Sequence, residues 1–165
     1  MSASNHYCIF EVAGDFFAAS ATQIREITSR PSYAKVPCSS LVLAGVWHEG
    51  SEFLPMLRLP FQENIEPNNE NHVLVIHGPV GRWGLLVDHV HNIATIECSH
   101  SNEACNNEWS TALMGMSTWN DESVRVLNLD GLYRLSDEML EYDWTRQIDA
   151  TDEGRKSSKR KAIAT

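Results

Sequence analysis

Apolar residues along this chain come in short bursts, each closed off by Gly, Asp, Asn, Pro or Ser. Bursts of that length, rich in β-branched and aromatic residues, read as strands. The clearest stretch is 43–59, LAGVWHEGSEFLPMLRL. Glu49-Gly50-Ser51-Glu52 is a turn signal, because Gly reaches positive φ without steric cost. The runs on either side are too short for helices, so a hairpin is predicted. Pro55 has no N–H to give to a ladder, which predicts an edge or a bulge in the second strand. Gly45 bares the backbone of the first strand, which predicts a close approach by another segment.

The pattern recurs along the chain. HYCIFEVA (6–13), a corner at Gly14-Asp15 and the strand Phe16 to Ala19 predict an opening hairpin. HVLVIH (72–77), a turn at 78–81 and a strand over 83–90 predict another, with the second strand covered on both faces. Residues 112–119 and 124–127, flanking Asn120 to Ser123, predict a third. Residues 20–27 read differently. Ser20 with Gln23 three positions on resembles a capping box, so one short helix with Ile24 and Ile27 on one face is predicted. Single helical turns are predicted at 38–43, 128–133 and 137–144, with Gly131 counting against the first of the last two. Residues 60–71 and 98–111 read as loops, 30–37 as extended, and no internal repeat is evident. Three hairpins with extra strands argue for a mostly β fold of small barrels.

Composition narrows the class. The 165 residues are 42% hydrophobic and 21% charged, which suits one domain with a real core. No apolar run approaches a membrane span, and the N-terminus has no signal-peptide pattern, so a cytoplasmic protein without membrane insertion is expected. Cys8, Cys38, Cys98 and Cys105 are scattered, which favours reduced thiols. The net charge of −9 is uneven: all 22 acids but only eight bases precede Gly154, a balance of −14. Such a body repels nucleic-acid backbones and favours basic or apolar partners. Residues 149–165 carry a basic, aromatic-free tail expected to be disordered, leaving 1–148 as the domain.

Candidate chemistry is sparse. No nucleophile elbow, phosphate-binding loop or dinucleotide fingerprint occurs, so no enzyme activity and no cofactor are expected. Cys98, His100 and Cys105 share one loop and could form part of a zinc or thiol site, but a fourth ligand at sensible spacing is missing. His89 and His91 could pair on a metal if the strand is regular, and a packing role is the alternative. His48 beside Glu49 could do acid–base work, although a protruding turn is poorly desolvated. Five tryptophans are many for this length. Trp83 is expected in the core, while Trp47, beside the turn, could anchor a protein partner.

Four pieces of the chain carry a resemblance. They are the strand–GD–aromatic-strand opening, Gln23-Ile24-Arg25-Glu26-Ile27, the frame Gly45 to Gly50 followed by Leu54 to Leu59, and Gly84-Leu-Leu-Val87-Asp88-His-Val90. Together they resemble CheW-type adaptor domains over about residues 6–144. The resemblance implies two intertwined five-stranded, SH3-like barrels with short helices, packed around a shared apolar seam. It implies a catalytically inert adaptor joining chemoreceptor signalling tips to the regulatory domain of a CheA-type histidine kinase. The positions it marks for receptor or kinase contact are Ile24, Glu26, Gly45, Glu49, Gly50 and Ile93, to which Trp47 is added as the candidate anchor. Three residues depart from the motif: Trp47 for its Asn, Glu49 for its Arg, and Leu57 for the acid before Arg58. Glutamate only accepts hydrogen bonds where arginine donates. Glu49 therefore predicts an altered partner, or service in a pilus-driven or other specialised pathway.

Overall fold

A computed structural model describes residues 5–29, 32–35, 42–59, 71–99 and 110–141. The described residues form ten strands: β1 (His6–Val12), β2 (Asp15–Ser20), β3 (Ile24–Ser29), β4 (Leu43–Glu49), β5 (Glu52–Leu57), β6 (His72–Gly78), β7 (Gly81–Val87), β8 (His89–Thr95), β9 (Leu113–Trp119) and β10 (Glu122–Leu127). One helix, α1, follows over residues 129–141. The strands form two five-stranded sheets, ordered β8-β1-β2-β10-β9 and β3-β6-β7-β5-β4. The mostly β architecture agrees with the hydrophobic pattern.

Each sheet curls round and joins its own edges. Just after β3, Ala34 exchanges two hydrogen bonds of 2.9 Å with Val46 of β4. Just after β8, Ser99 does the same with Met116 of β9, at 2.9 and 3.2 Å. A glycine stands beside each closure. A Cβ on Gly45 would lie 2.3 Å from the Ala34 carbonyl oxygen, and one on Gly115 would lie 2.3 Å from that of Ser99. Gly45 therefore has the close neighbour that its place in the strand predicted. The result is two barrels, here A (with β1, β2, β8, β9, β10) and B (β3 to β7).

The central strands are buried on both faces, and alternation divides their side chains between two cores. Tyr7, Ile9, Ala18, Val124 and Val126 fill barrel A. Leu54, Met56, Val73, Val75 and Leu86 fill barrel B. The opposite faces supply Phe10, Phe17, Leu57, Leu74, Ile76, Trp83, Leu85 and Leu127 to a third cluster between the barrels, which Leu129 and Leu132 of α1 complete. Each large side chain so buried contributes about 1.5–3 kcal/mol. Trp83 belongs to this seam, against Tyr133 at a ring separation of 5.6 Å.

Several local expectations are corrected. Residues 20–27 are not a short helix: Ile24–Ser29 is a strand paired with β6, with Ile27 opposite Leu74. The pairing and the β-branched Ile24, Ile27 and Thr28 outweigh a cap that would serve a single turn. The run from 83 to 90 is two strands. Asp88 breaks it, donating its N–H to the Glu11 carbonyl (3.0 Å) while its carboxylate accepts from Ala13 N–H (2.7 Å), and the chain crosses from barrel B to barrel A. β5 is interior and not an edge. Its parallel ladder with β7 starts at Met56, so Pro55 stands just outside it with no donor required. The first hairpin turns at Ala13-Gly14, both with positive φ, and the third likewise at Asn120-Asp121. The two helical turns after 128 are one continuous helix. Asn128 caps the Gly131 N–H (3.2 Å), and Gly131 is required because a Cβ would meet the Thr111 carbonyl oxygen. The helical turn expected at 38–43, the loop at 60–71 and the tail lie wholly or largely outside the described residues.

The chain also contains a structural repeat that the sequence hid. β1 to β5 correspond to β6 to β10, and each barrel takes strands from both halves. Ile27 opposite Leu74 in barrel B matches Ile93 opposite Cys8 in barrel A, and the ladder irregularity next to each recurs at the same place. In the hairpins, Leu43, Gly45, Glu52 and Leu57 answer Leu113, Gly115, Glu122 and Leu127.

Candidate functional site

The repeat places the marked residues in pairs. Ile24 and Ile27 lie on β3, the edge strand of barrel B, and both stand opposite residues of the seam, Ile76 and Leu74. Ile93 lies on β8, the corresponding edge strand of barrel A, opposite the seam residue Cys8. Directly opposed residues of a sheet share a face. Ile24 is partly buried against the seam core, while Ile27 and Ile93 are 43% and 57% exposed. Two exposed isoleucines at matching positions thus border the seam, one from each barrel. Ile27 is not among the positions that the resemblance marks.

A second group sits at the mouth of barrel B. Glu49 and Glu52 flank the β4–β5 turn, where Gly50 has φ 61°. Arg82, at the start of β7, reaches both. Its Nε and Nη2 donate to Glu52 Oε2, the former at 2.9 Å, and its Nη1 lies 3.5 Å from Glu49 Oε2. Glu52 chiefly, with Glu49 and Glu26 nearby, holds the guanidinium above its ordinary value. Beside this clamp opens a cleft of about 720 Å³, lined by Arg25, Phe53, His77, Val80 and Arg82 among others. Phe53 and Val80 are 70% and 80% exposed. Arg82 and the cleft carry no sequence motif, since it is the parallel β5–β7 pairing that brings Arg82 to a hairpin distant in sequence.

The remaining candidates are dispersed. Glu26 is exposed on β3. Gly45 serves barrel closure, and Trp47 is half-buried against the interior of barrel B. His48 stacks on Phe53 at 4.7 Å, with no acid–base geometry about it. His89 and His91 have ring centres 6.5 Å apart, and His91 is engaged with Glu11 Oε2 at 3.0 Å. Among the described residues no group of three or more His, Cys, Asp or Glu converges as metal ligands would. Cys98 is half-buried over Gly115, and burial pushes its thiol up, away from the thiolate that zinc or nucleophilic chemistry needs. His100 and Cys105 lie outside the described residues.

The described residues thus form two closed barrels around a common core, bordered by two exposed isoleucines and by the cleft beside Arg82. The model of the CheW-like domain family matches residues 6–137, so the chain belongs to that family. The family is one of scaffolding adaptors of chemotaxis signalling rather than of enzymes. A matching solved structure is that of the scaffolding protein TtCheW from Thermoanaerobacter tengcongensis. It is 13% identical, with a TM-score of 0.66, over 80% of this chain and 89% of that one. No curated protein matches the sequence. Among the described residues, no helix is long and apolar enough to cross a membrane.

Proposed function

We propose that the protein is a cytoplasmic, non-enzymatic adaptor that couples chemoreceptor signalling tips to a CheA-type histidine kinase. The observation that carries this reading is the pair Ile27 and Ile93. Isoleucines left about half exposed at equivalent sites on the two sheet-edge strands offer apolar surface to a partner, and a receptor's helical hairpin can lay an apolar stripe between them. Ile24 underlies one side of that surface, and Glu26 stands at its rim. Kinase contact falls to barrel ends, including the tip with Glu49, Gly50 and Trp47. Coupling requires only that the receptor's state bias how the kinase domains sit on the scaffold. Residues 1–148 make up this module and 149–165 a separate basic tail, and nucleic acid is not a partner of so acidic a body. Glu49 in place of the motif's arginine favours a diverged adaptor, for example of a pilus-motility pathway.

The test is titration calorimetry with the receptor tip of the same organism. Ile27→Lys and Ile93→Lys should each weaken binding at least tenfold while the thermal midpoint moves by less than a few degrees, since both side chains are exposed. Unchanged affinity in both variants removes the receptor-facing role from the seam.

A further inference from the structure

The internal repeat divides the chain between β5 and β6. Residues 5–59 hold β1 to β5, and residues 71–141 hold β6 to β10 and α1. Neither half holds a barrel of its own. Among the described residues, the ladders inside the first half are the hairpins β1–β2 and β4–β5 and the Ala34–Val46 bridge. Those inside the second are β6–β7, β9–β10 and the Ser99–Met116 bridge. In both halves these pieces are split between the two barrels.

Every other ladder joins one half to the other: β1–β8 and β2–β10 in barrel A, β3–β6 and β5–β7 in barrel B. The polar ties follow the same division. Ala13 N–H donates to Asp88, Gln23 Nε2 donates to Asp130 Oδ1 at 3.0 Å, and Arg82 pairs with Glu52, each bond having one partner in each half. The seam is shared likewise, with Phe10, Phe17 and Leu57 of the first half clustered with Leu74, Leu85 and Leu127 of the second.

Interactions between halves are the same whether or not those halves belong to one chain. The covalent link is residues 60–70, PFQENIEPNNE, a length that spans at most about 40 Å. A second copy can therefore supply its residues 71–141 to residues 5–59 of the first and receive the first copy's in return. The ladders, both closures and the seam are all kept, so the two arrangements differ chiefly in chain entropy. A short link sets an effective concentration in the millimolar range, which makes the closed monomer the dilute form and the exchanged pair the concentrated one.

We propose that two copies of this chain assemble into a dimer by exchanging halves, with residues 71–141 of each completing both barrels on residues 5–59 of the other. Such a dimer carries two whole modules, and in each of them Ile27 comes from one copy and Ile93 from the other. The exchange stands on strand pairing alone and is independent of the adaptor reading.

The test begins with the full chain refolded from urea at about 1 mM and at about 10 µM, either side of the crossover that the link implies, and sized by light scattering. Dimer should be at least about tenfold more abundant in the first and should persist on dilution, because a return to monomer requires unfolding. Two glycine variants then show how it is built. The Gly45→Ala fault lies wholly in the first half and the Gly115→Ala fault wholly in the second, since Ala34 and Ser99 stand in the same halves as the glycines they meet. Refolded together, the variants should give a dimer with one module free of both faults, which melts at the wild-type midpoint. Mixing the two folded variants should give no such transition. Ser29 and His72 stand opposite each other on β3 and β6. Ser29→Cys in one copy and His72→Cys in another should therefore form a disulfide between copies only after joint refolding. That result decides alone if the glycine variants do not fold. A chain that refolds as a monomer at both concentrations, or a dimer without the disulfide between copies, overturns the exchange.

Discussion

The two barrels share strand order, register and even the position of a bulge, yet their mouths have opposite chemistry. Barrel A closes on Phe16, His91 and Trp119, and barrel B carries the Arg82–Glu49–Glu52 clamp beside an open cleft. The difference teaches that the seam and the closures are what the fold demands, because both halves keep them. The mouths are free to vary: one is filled by its own rings, and the other opens as a cleft beside an ion-paired arginine.

The comparison can be broken most sharply at the closures. Gly45→Ala and Gly115→Ala both drive a Cβ into a backbone carbonyl, which cannot move without opening the barrel. Each should cost about 2–4 kcal/mol. The urea midpoint measures this, with an unchanged slope showing that the loss is one of stability. If one variant is silent, that barrel is not held shut by its bridge and the two closures are not equivalent.

The mouths should separate next. Phe16→Ala or Trp119→Ala removes a ring packed on the core of barrel A and should cost about 2–3 kcal/mol. Arg82→Gln at the matching position of barrel B should cost clearly less than either ring, since its glutamate pairs lie at the surface, where water and salt screen the attraction. Equal losses would mean that the clamp is structural after all.

The smallest effect concerns the thiols. Burial pushes Cys8 up to about 11. The folded state therefore holds that proton more tightly than the unfolded chain, and this contribution to stability is present below about pH 9 and lost as pH rises towards 11. Cys8 should resist iodoacetamide at pH 8 under native conditions, which mass spectrometry of the digest would read. Rapid labelling of Cys8 would place it outside the seam.

Much of this was legible in the residues. Turn chemistry located the first hairpin, the third and that of 43–59, with their turns, to within about two residues, because tight turns need positive φ and only a few residues supply it, whereas the neighbours of the second strand of 43–59 were not legible. Gly45 could be read as a point of close approach, though not what approached. The segment 20–27 could not be read correctly. A plausible cap and two isoleucines fit one turn of helix equally well, and its strand state depends on β6, almost fifty residues further on. The break at Asp88 was equally hidden, since it is made by a hydrogen bond to Ala13 from the other barrel's first turn. Of the site, the sequence offered Ile24 and Ile93 through the resemblance, but not Ile27, Arg82 or the cleft.

By itself, the order of residues determined where strands begin and end at their turns, that both faces of the central strands are apolar, and that the chain has an acidic body. Those properties are local, set by backbone sterics and by alternation. Only the tertiary structure decided which strand joins which barrel, because strands of both halves are equally apolar and pairing is chosen by closure over long stretches of chain. The same folding brought Arg82 to the hairpin tip and set Ile27 and Ile93 at matching places on the two edges. Contacts between segments so far apart leave no pattern in either segment alone.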